Sequence, residues 1–308
     1  NTDRKLADSI KRAGNVVLPL VFQQLAEPQG KPDQPLPDYV TANALDMPSG
    51  TDNLPPPGVF PLIPIDVIGS AVSGIGHLNA NNDVDGAVRS EPLLVRYYDK
   101  VYPALSVLIA ARSLNLGVAD IKPTWGEALH LGKLRVRTDA ELRMHTFFYA
   151  DRDGRLPFPV DSFFDVLSGK VPAAKFQDKI VLIGATAAGL GTAQVTPLSP
   201  ATAPVLTLAH TVSSILGEHF FVTPSWGIWV QIGVFLAVAL FIIIALPRLR
   251  AGLAAWISLG IGAALIGAHF GLMVSQLTWI PLMASVALLA VGYGSLTTKR
   301  FLVTERGK

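Results

Sequence analysis

Cysteine is absent from the chain, which excludes disulfides, thiolate nucleophiles and cysteine-ligated metal sites. Charge is sparse, at 16% of 308 residues, and almost balanced at a formal +2. The basic residues form no stripe with interleaved aromatics, so no nucleic-acid partner is expected. There is no GxGxxG, no P-loop lysine, and no defensible Ser/His/Asp set or catalytic carboxylate pair. His210 and His219 have no fitting histidine or carboxylate at a metal-binding spacing and read as packing or surface residues. No cofactor, metal or catalytic activity is therefore expected of this segment.

The most telling absence is local. Three apolar runs, Trp226–Leu246, Leu253–Phe270 and Ile280–Leu296, contain no Asp, Glu, Lys or Arg. Each has roughly the 17–25 residues that a helix needs to cross a bilayer, where a central charge costs about 2.5 kcal/mol or more. The expected arrangement is an all-α bundle of three transmembrane helices over residues 223–298, with the lipid bilayer as partner. Arg248 and Arg250 follow the first run, Lys299 and Arg300 follow the third, and Gly271–Thr278 between the second and third is uncharged. Basic loops favour the cytoplasm, so both basic flanks are expected inside and Ser275 outside. Residues 1–222 are then extracytoplasmic, and 299–308 begin a cytoplasmic segment. Trp226, Trp229 and Trp279 fall at the outer ends of their runs, where interfacial aromatics belong. Ala263, Gly267 and Gly271 share one face at GxxxG spacing and are expected to contact another helix.

The first 222 residues alternate strand and helix patterns, as an α/β domain with a mixed or mainly parallel sheet does. A helix from Thr2 to Ala13 should stop at Gly14, followed by a strand over Val16–Phe22. From Glu27 to Pro64 prolines crowd a stretch with few bulky apolar residues, expected to be a surface loop or an arm across a neighbour. Helices are expected over Ile65–Val72, Pro103–Leu116, Val160–Leu167 and Pro204–Leu216. Strands are expected over Ile75–Ala80, Val88–Tyr98, Lys100–Tyr102, Leu134–Arg137, Met144–Tyr149 and Ile180–Ile183. The last lacks polar alternation and reads as buried on both faces. No export signal accompanies Asn1, so a membrane helix upstream is expected.

Two stretches carry candidate site chemistry. Asn81, Asp83 and Asp85 alternate before Gly86 like calcium ligands, but the twelfth position is Pro92, not an acid. A polar hairpin turn is the better reading. Asp151-Arg152-Asp153-Gly154 is a weaker version of the same pattern. After Ile183, the small residues Gly184, Ala185, Thr186 and Gly189, with Thr196 beyond, suit a backbone that approaches a ligand at a strand's C-terminal end. Tight packing of that loop is the plainer alternative.

The order Asn81–Arg89 (NNDVDGAVR), Ala104–Arg112, Phe164–Gly169 (FDVLSG), Lys179–Pro197 (KIVLIGATAAGLGTAQVTP) and His210–Leu216 resembles the type-two CHASE domain. The name stands for cyclase- and histidine-kinase-associated sensory extracellular. The resemblance implies a sensor in a bacterial inner membrane, three membrane helices, and a cyclase or kinase output domain beyond Lys308. A small-molecule or protein ligand outside and assembly with itself or another membrane protein are expected partners. The sequence departs from the family at Thr192, where Asp is usual, and at Pro204-Val205-Leu206, where Gly-Val-Glu is usual. The alternative is a membrane-anchored accessory subunit whose outer domain binds another protein, an idea the Glu27–Pro64 arm favours.

Overall fold

The structure is a computed structural model. It describes all residues except 1, 32–34, 49, 51–53, 154–155, 188–191, 225 and 307–308, and leaves out the side chains of 301 and 303–306. The chain forms two compact units, Asn1–Phe220 and Phe221–Lys308.

In the first unit, helix α1 (Thr2–Ala13) has Asp3 in its first turn and Lys11 and Arg12 in its last, each sign complementing the helix dipole. Gly14, at φ +70°, ends it by donating to the Ile10 carbonyl at 3.0 Å. There follow β1 (Val17–Gln24), α2 (Asp38–Thr41), β2 (Leu45–Asp46), β3 (Val59–Leu62), α3 (Asp66–Gly69) and β4 (Gly74–His77). β1 lies between β3, to which it is antiparallel, and β4, to which it is parallel.

The described part of the Glu27–Pro64 stretch is anchored in the core and is not an arm free of this chain. Val40 is fully buried, and Leu36, Tyr39, Ala44 and Ile63 join it against Leu20, Phe22, Ile75, Val95 and Tyr102. Tyr39 secures the return by donating to the Pro64 carbonyl at 2.8 Å. These apolar side chains are too few to fold alone, but they complete a core that the strands begin.

The chain continues through β5 (Asn81–Asn82), β6 (Val88–Pro92), β7 (Leu94–Tyr97), β8 (Lys100–Pro103), α4 (Leu105–Ser113), β9 (Ile121–Thr124), β10 (Ala128–Leu131), β11 (Leu134–Arg137) and β12 (Arg143–Thr146). It ends with α5 (Phe163–Leu167), α6 (Pro204–Leu216) and β13 (Phe220–Phe221). The antiparallel sheets are β11-β10-β9, β2-β8-β7, and β12-β6-β5 with Phe220 beyond β12. The expectation of a mixed sheet holds for β3-β1-β4, but among the described strands the sheets are not mainly parallel. Short hairpin connections such as Tyr98-Asp99 and Gly132-Lys133 join neighbours where a parallel sheet would need helical crossovers.

Helix α4 is buried from Leu105 to Ala111 and apolar there on every side except at Ser106. Its Leu105 and Ile109 pack against Leu208 and Val212 of α6. Its first turn lies on β4 so closely that a Cβ on Gly76 would stand 2.8 Å from the Leu105 Cα. Two expectations fail here: Pro103 stays in β8, and α5 covers only the end of Val160–Leu167.

The expected buried strand Ile180–Ile183 is also corrected. The segment belongs to no sheet among the described residues, and Ile180, Val181 and Ile183 are exposed. Burial on both faces requires cover from two sides, and here only the α4–α6 pair offers a face. Leu182 alone packs against it.

The second unit is helical: α7 (Gly227–Leu240), α8 (Ala251–Gln276) and α9 (Met283–Arg306). α7 continues as a π turn over Phe241–Ala245 and a 3₁₀ turn over Leu246–Arg248. Pro247 lacks the N–H that a regular α-helix would use there. Two stretches, Gly227–Arg248 and Ala251–Gln276, are long and apolar enough to cross a membrane. The third run becomes helical only at Met283, past Pro281, and α9 includes Lys299 and Arg300, so it does not meet the same standard.

Helix α9 packs against both α7 and α8. The close approach is at Gly292, where a Cβ would come within 2.7 Å of Ile242 Cδ1. The face carrying Ala263, Gly267 and Gly271 is exposed, and nothing lies within 4 Å of a Cβ built at either glycine. Among the described residues no neighbour meets this face, so its contact with another helix stays a proposal for assembly between chains. α8 turns Ala254, Ser258 and His269 inward, a different face. Arg300 donates to the carbonyls of Leu246, Pro247 and Leu249 at 3.0, 2.7 and 3.2 Å. At the opposite end of the helices, the Val222 N–H bonds the Leu277 carbonyl at 2.8 Å and the Trp279 N–H bonds the Val222 carbonyl at 2.9 Å.

Candidate functional site

The site grows from a polar stripe on α6. Its Leu208, Val212 and Ile215 are buried against apolar neighbours, but Thr207, His210, Thr211 and Ser214 are buried too. Their spacing is that of a single helix face. Buried polar groups need partners, and the chain supplies them. Ser214 Oγ accepts from the Phe147 N–H at 2.9 Å and donates to the Phe147 carbonyl at 3.1 Å. His210 Nδ1 accepts from the Tyr149 N–H at 3.1 Å. The segment after β12 is thus keyed to helix side chains instead of to a strand. Thr211 Oγ1 meets Thr146 Oγ1 at 3.3 Å and donates to the Thr207 carbonyl at 3.2 Å. The buried Thr207 Oγ1 has no hydrogen-bond partner among the described residues.

The same Thr211 hydroxyl reaches Glu91, on β6. Ser106 Oγ, from α4, donates to Glu91 Oε1 at 2.6 Å. The residue keeps some accessible surface, yet its carboxyl is enclosed by protein. Burial raises its pKa from 4.5 to about 7, against the lowering effect of the Ser106 and Thr211 bonds.

On the outer side of α6 lies an open cleft of about 700 Å³, lined by Tyr149, Arg152, Asp153, Leu156, Phe158 and Ser213. Tyr149 stacks on His210 at 6.0 Å between ring centroids, and Phe158 meets the same imidazole edge-on at 4.8 Å. Burial lowers the His210 pKa to about 4, so the ring is neutral at physiological pH. Tyr149 Oη also pairs with His219 Nδ1 at 3.0 Å. The result is an aromatic wall with a charged rim, a surface suited to a flat organic molecule.

The sequence candidates fall elsewhere. A Cβ on Gly184 would lie 2.6 Å from Val205 Cβ, so the loop rests on the first turn of α6 and the tight-packing reading has a physical basis. Ala185 and Thr186 are exposed beside it, and Gly189 lies outside the described residues. Thr196 is buried, with Oγ1 2.8 Å from Thr202 Oγ1 and its N–H on the Ser199 carbonyl at 2.8 Å, closing its own loop. Asp83–Gly86 forms the expected turn, closed at 2.8 Å with Gly86 at φ +79°. Arg89 engages its acids, at 2.6 Å to Asp83 and 2.7 Å to Asp85, while Asn81 Nδ2 donates to Ser90 Oγ. Among the described residues no three acids or histidines cluster as metal ligands would.

Sequence reasoning missed Glu91, Tyr149 and Phe158, and passed over His210. The signal was present as polar residues 207, 210, 211 and 214 on an otherwise apolar helix, spaced to share one face.

Residues 1–246 match the CHASE2 domain family, a family of sensory domains. No curated protein and no solved structure matches the chain. The match runs through the whole α/β unit and into the first apolar helix, and the chain belongs to the CHASE2 family.

Proposed function

We propose that this chain is the sensing segment of a transmembrane receptor in a bacterial inner membrane. Its α/β unit detects a stimulus outside, and its three C-terminal helices, α9 included, cross the membrane and pass the signal to a cytoplasmic cyclase or kinase. The observation that carries this reading is the position of α6. This helix borders the aromatic cleft through Ser213, holds the Phe147–Tyr149 segment, and is the last helix before the chain enters α7. A small molecule seated between Tyr149 and Phe158 acts directly on the element that leads to the membrane. A loop role for Gly184, Ala185, Thr186, Gly189 and Thr196 in ligand contact belongs to the same proposal, beside α6 at Gly184.

The orientation is supported by Arg300, whose bonds to Leu246, Pro247 and Leu249 gather both basic clusters at one end of the helices. Basic ends favour the cytoplasm. The absence of native cysteine makes the test direct. In intact cells, an impermeant maleimide should label Ser275→Cys and spare Leu249→Cys. Labelling of Leu249→Cys alone would put the α/β unit inside and end the extracellular-sensor reading. The accessory-subunit alternative draws less on the Glu27–Pro64 stretch, since Leu36, Tyr39, Val40, Ala44 and Ile63 pack into the chain's own core.

A further inference from the structure

Glu91 sits where β6, β12, α4 and α6 meet, held among hydroxyls that come from helices on different parts of the chain. Ser106 reaches it from α4 and Thr211 from α6, and Thr146 of β12 touches Thr211 in turn. The geometry points to Glu91 as a proton-operated latch: protonated, it holds α4 and α6 on the sheet, and ionised, it releases α6 together with the Phe147–Tyr149 segment bonded to it.

The physical reason is solvation. A neutral carboxyl is satisfied by two hydroxyl partners, whereas a carboxylate accepts several hydrogen bonds and strongly resists removal from water. Burial already holds the group near the point of change, with its pKa raised to about 7. The charged groups on neighbouring elements are engaged elsewhere. On β6, Arg89 pairs with Asp83 and Asp85; on β12, Arg143 pairs with Asp139 and Glu141; on α4, Arg112 donates to the Ser73 carbonyl. The nearby histidines are His145 on β12, His210 on α6 and His77 on β4, and burial lowers the pKa of each. An ionised Glu91 therefore draws in water, and the joint most easily opened is the one made by Thr211. Ser214 and His210, one turn away or less, hold Phe147 and Tyr149, so release there reaches the wall of the cleft.

The latch does not depend on what the cleft binds, and its test uses no ligand, so its failure and that of the sensor reading are separable. The full chain in lipid nanodiscs is followed by hydrogen exchange and mass spectrometry from pH 5.5 to 8.5, with rates corrected for intrinsic exchange. Peptides covering Pro204–Leu216 and Phe147–Tyr149 should exchange about tenfold faster one pH unit above the midpoint than one unit below it, as single-proton linkage requires. Glu91→Gln, which stays neutral, should remain protected throughout. Ser106→Ala removes a bond that favours the ionised form, so its midpoint should move to higher pH. His210→Gln should leave the midpoint in place. Flat exchange in the wild type overturns the latch, as does a transition that survives Glu91→Gln or one that moves with His210→Gln. Should Glu91→Gln fail to fold, an unmoved midpoint in Ser106→Ala overturns it alone.

Discussion

Replacing Gly76 with alanine tests how firmly α4 is seated. The new Cβ would stand 2.8 Å from both the Cα and N of Leu105 and 2.9 Å from the Ala104 carbonyl carbon. Carbon atoms pack best at about 3.5–4.0 Å, and these are backbone atoms that cannot rotate aside, so α4 must retreat by about 1 Å. Overpacking of this kind costs about 1–3 kcal/mol, and a backbone clash belongs at the upper end. Gly74, two residues earlier on β4, provides the control. Its added Cβ meets side-chain atoms only, Asn43 Oδ1 at 3.3 Å and Val17 Cγ1 at 3.5 Å. Alanine there also restricts the unfolded chain, a gain of about 0.4–1 kcal/mol, so the net effect should be near zero. Pulse proteolysis of the full chain across a urea series reads the difference from fragments of the first unit. The expected outcome is a Gly76→Ala chain less stable than Gly74→Ala by about 2 kcal/mol or more. Equal stabilities, within about 0.5 kcal/mol, would mean that α4 is not clamped on β4 and that the Ser106–Glu91 bond rests on a mobile helix.

Three further outcomes follow from other contacts. Glu91 binds a proton more tightly folded than unfolded, so its contribution to stability is full below pH 4.5, falls as pH rises, and is lost above about 7. That shift corresponds to about 3 kcal/mol, read as a stability difference between Glu91→Gln and wild type that widens across this window. The subtraction cancels His77 and His210, whose lowered pKa values make them oppose folding as pH falls below 6.5. Arg300→Ala removes the side-chain donor from the carbonyls of Leu246, Pro247 and Leu249 and should lower the detergent unfolding temperature of the helical unit. The loss expected is about 1.5–3 kcal/mol, and an unchanged temperature would refute the clamp. Gly267→Leu should leave the folded chain intact, because no described residue lies within 4 Å, yet shift its oligomeric state if that face meets another copy. Unaltered assembly by crosslinking would remove the face from consideration.

What could be read from the sequence was what local chemistry decides alone. α1 and its Gly14 stop, the Asp83–Gly86 turn and the near-continuous apolarity of α7 and α8 needed no partner to be recognised. β9 and β10 escaped because Pro123 and His130 break the alternation that marks a strand, and only pairing with β11 makes them regular. Ile180–Ile183 misled for the converse reason: four apolar residues describe a buried strand only where two covering layers exist. Glu91 was invisible in the same sense. Its neighbours in sequence, Ser90 and Pro92, give no hint that Ser106 and Thr211 will enclose it. The GxxxG face showed small residues correctly but not which face of α8 α9 would choose. Leu289 of α9 instead approaches α8 at Gly262, while Gly292 of α9 lies against Ile242 beyond α7.

The three carbonyls gripped by Arg300 have a mechanical meaning. The far end of α7 is irregular, a π turn leading into a 3₁₀ turn, and such a joint on its own would absorb a push as a spring does. Arg300 ties that joint to the last turns of α9, so the compliant element is bypassed by a rigid strut. In the receptor reading proposed above, a displacement entering α7 at Gly227 would reach α9 through this tie as well as through side-chain packing.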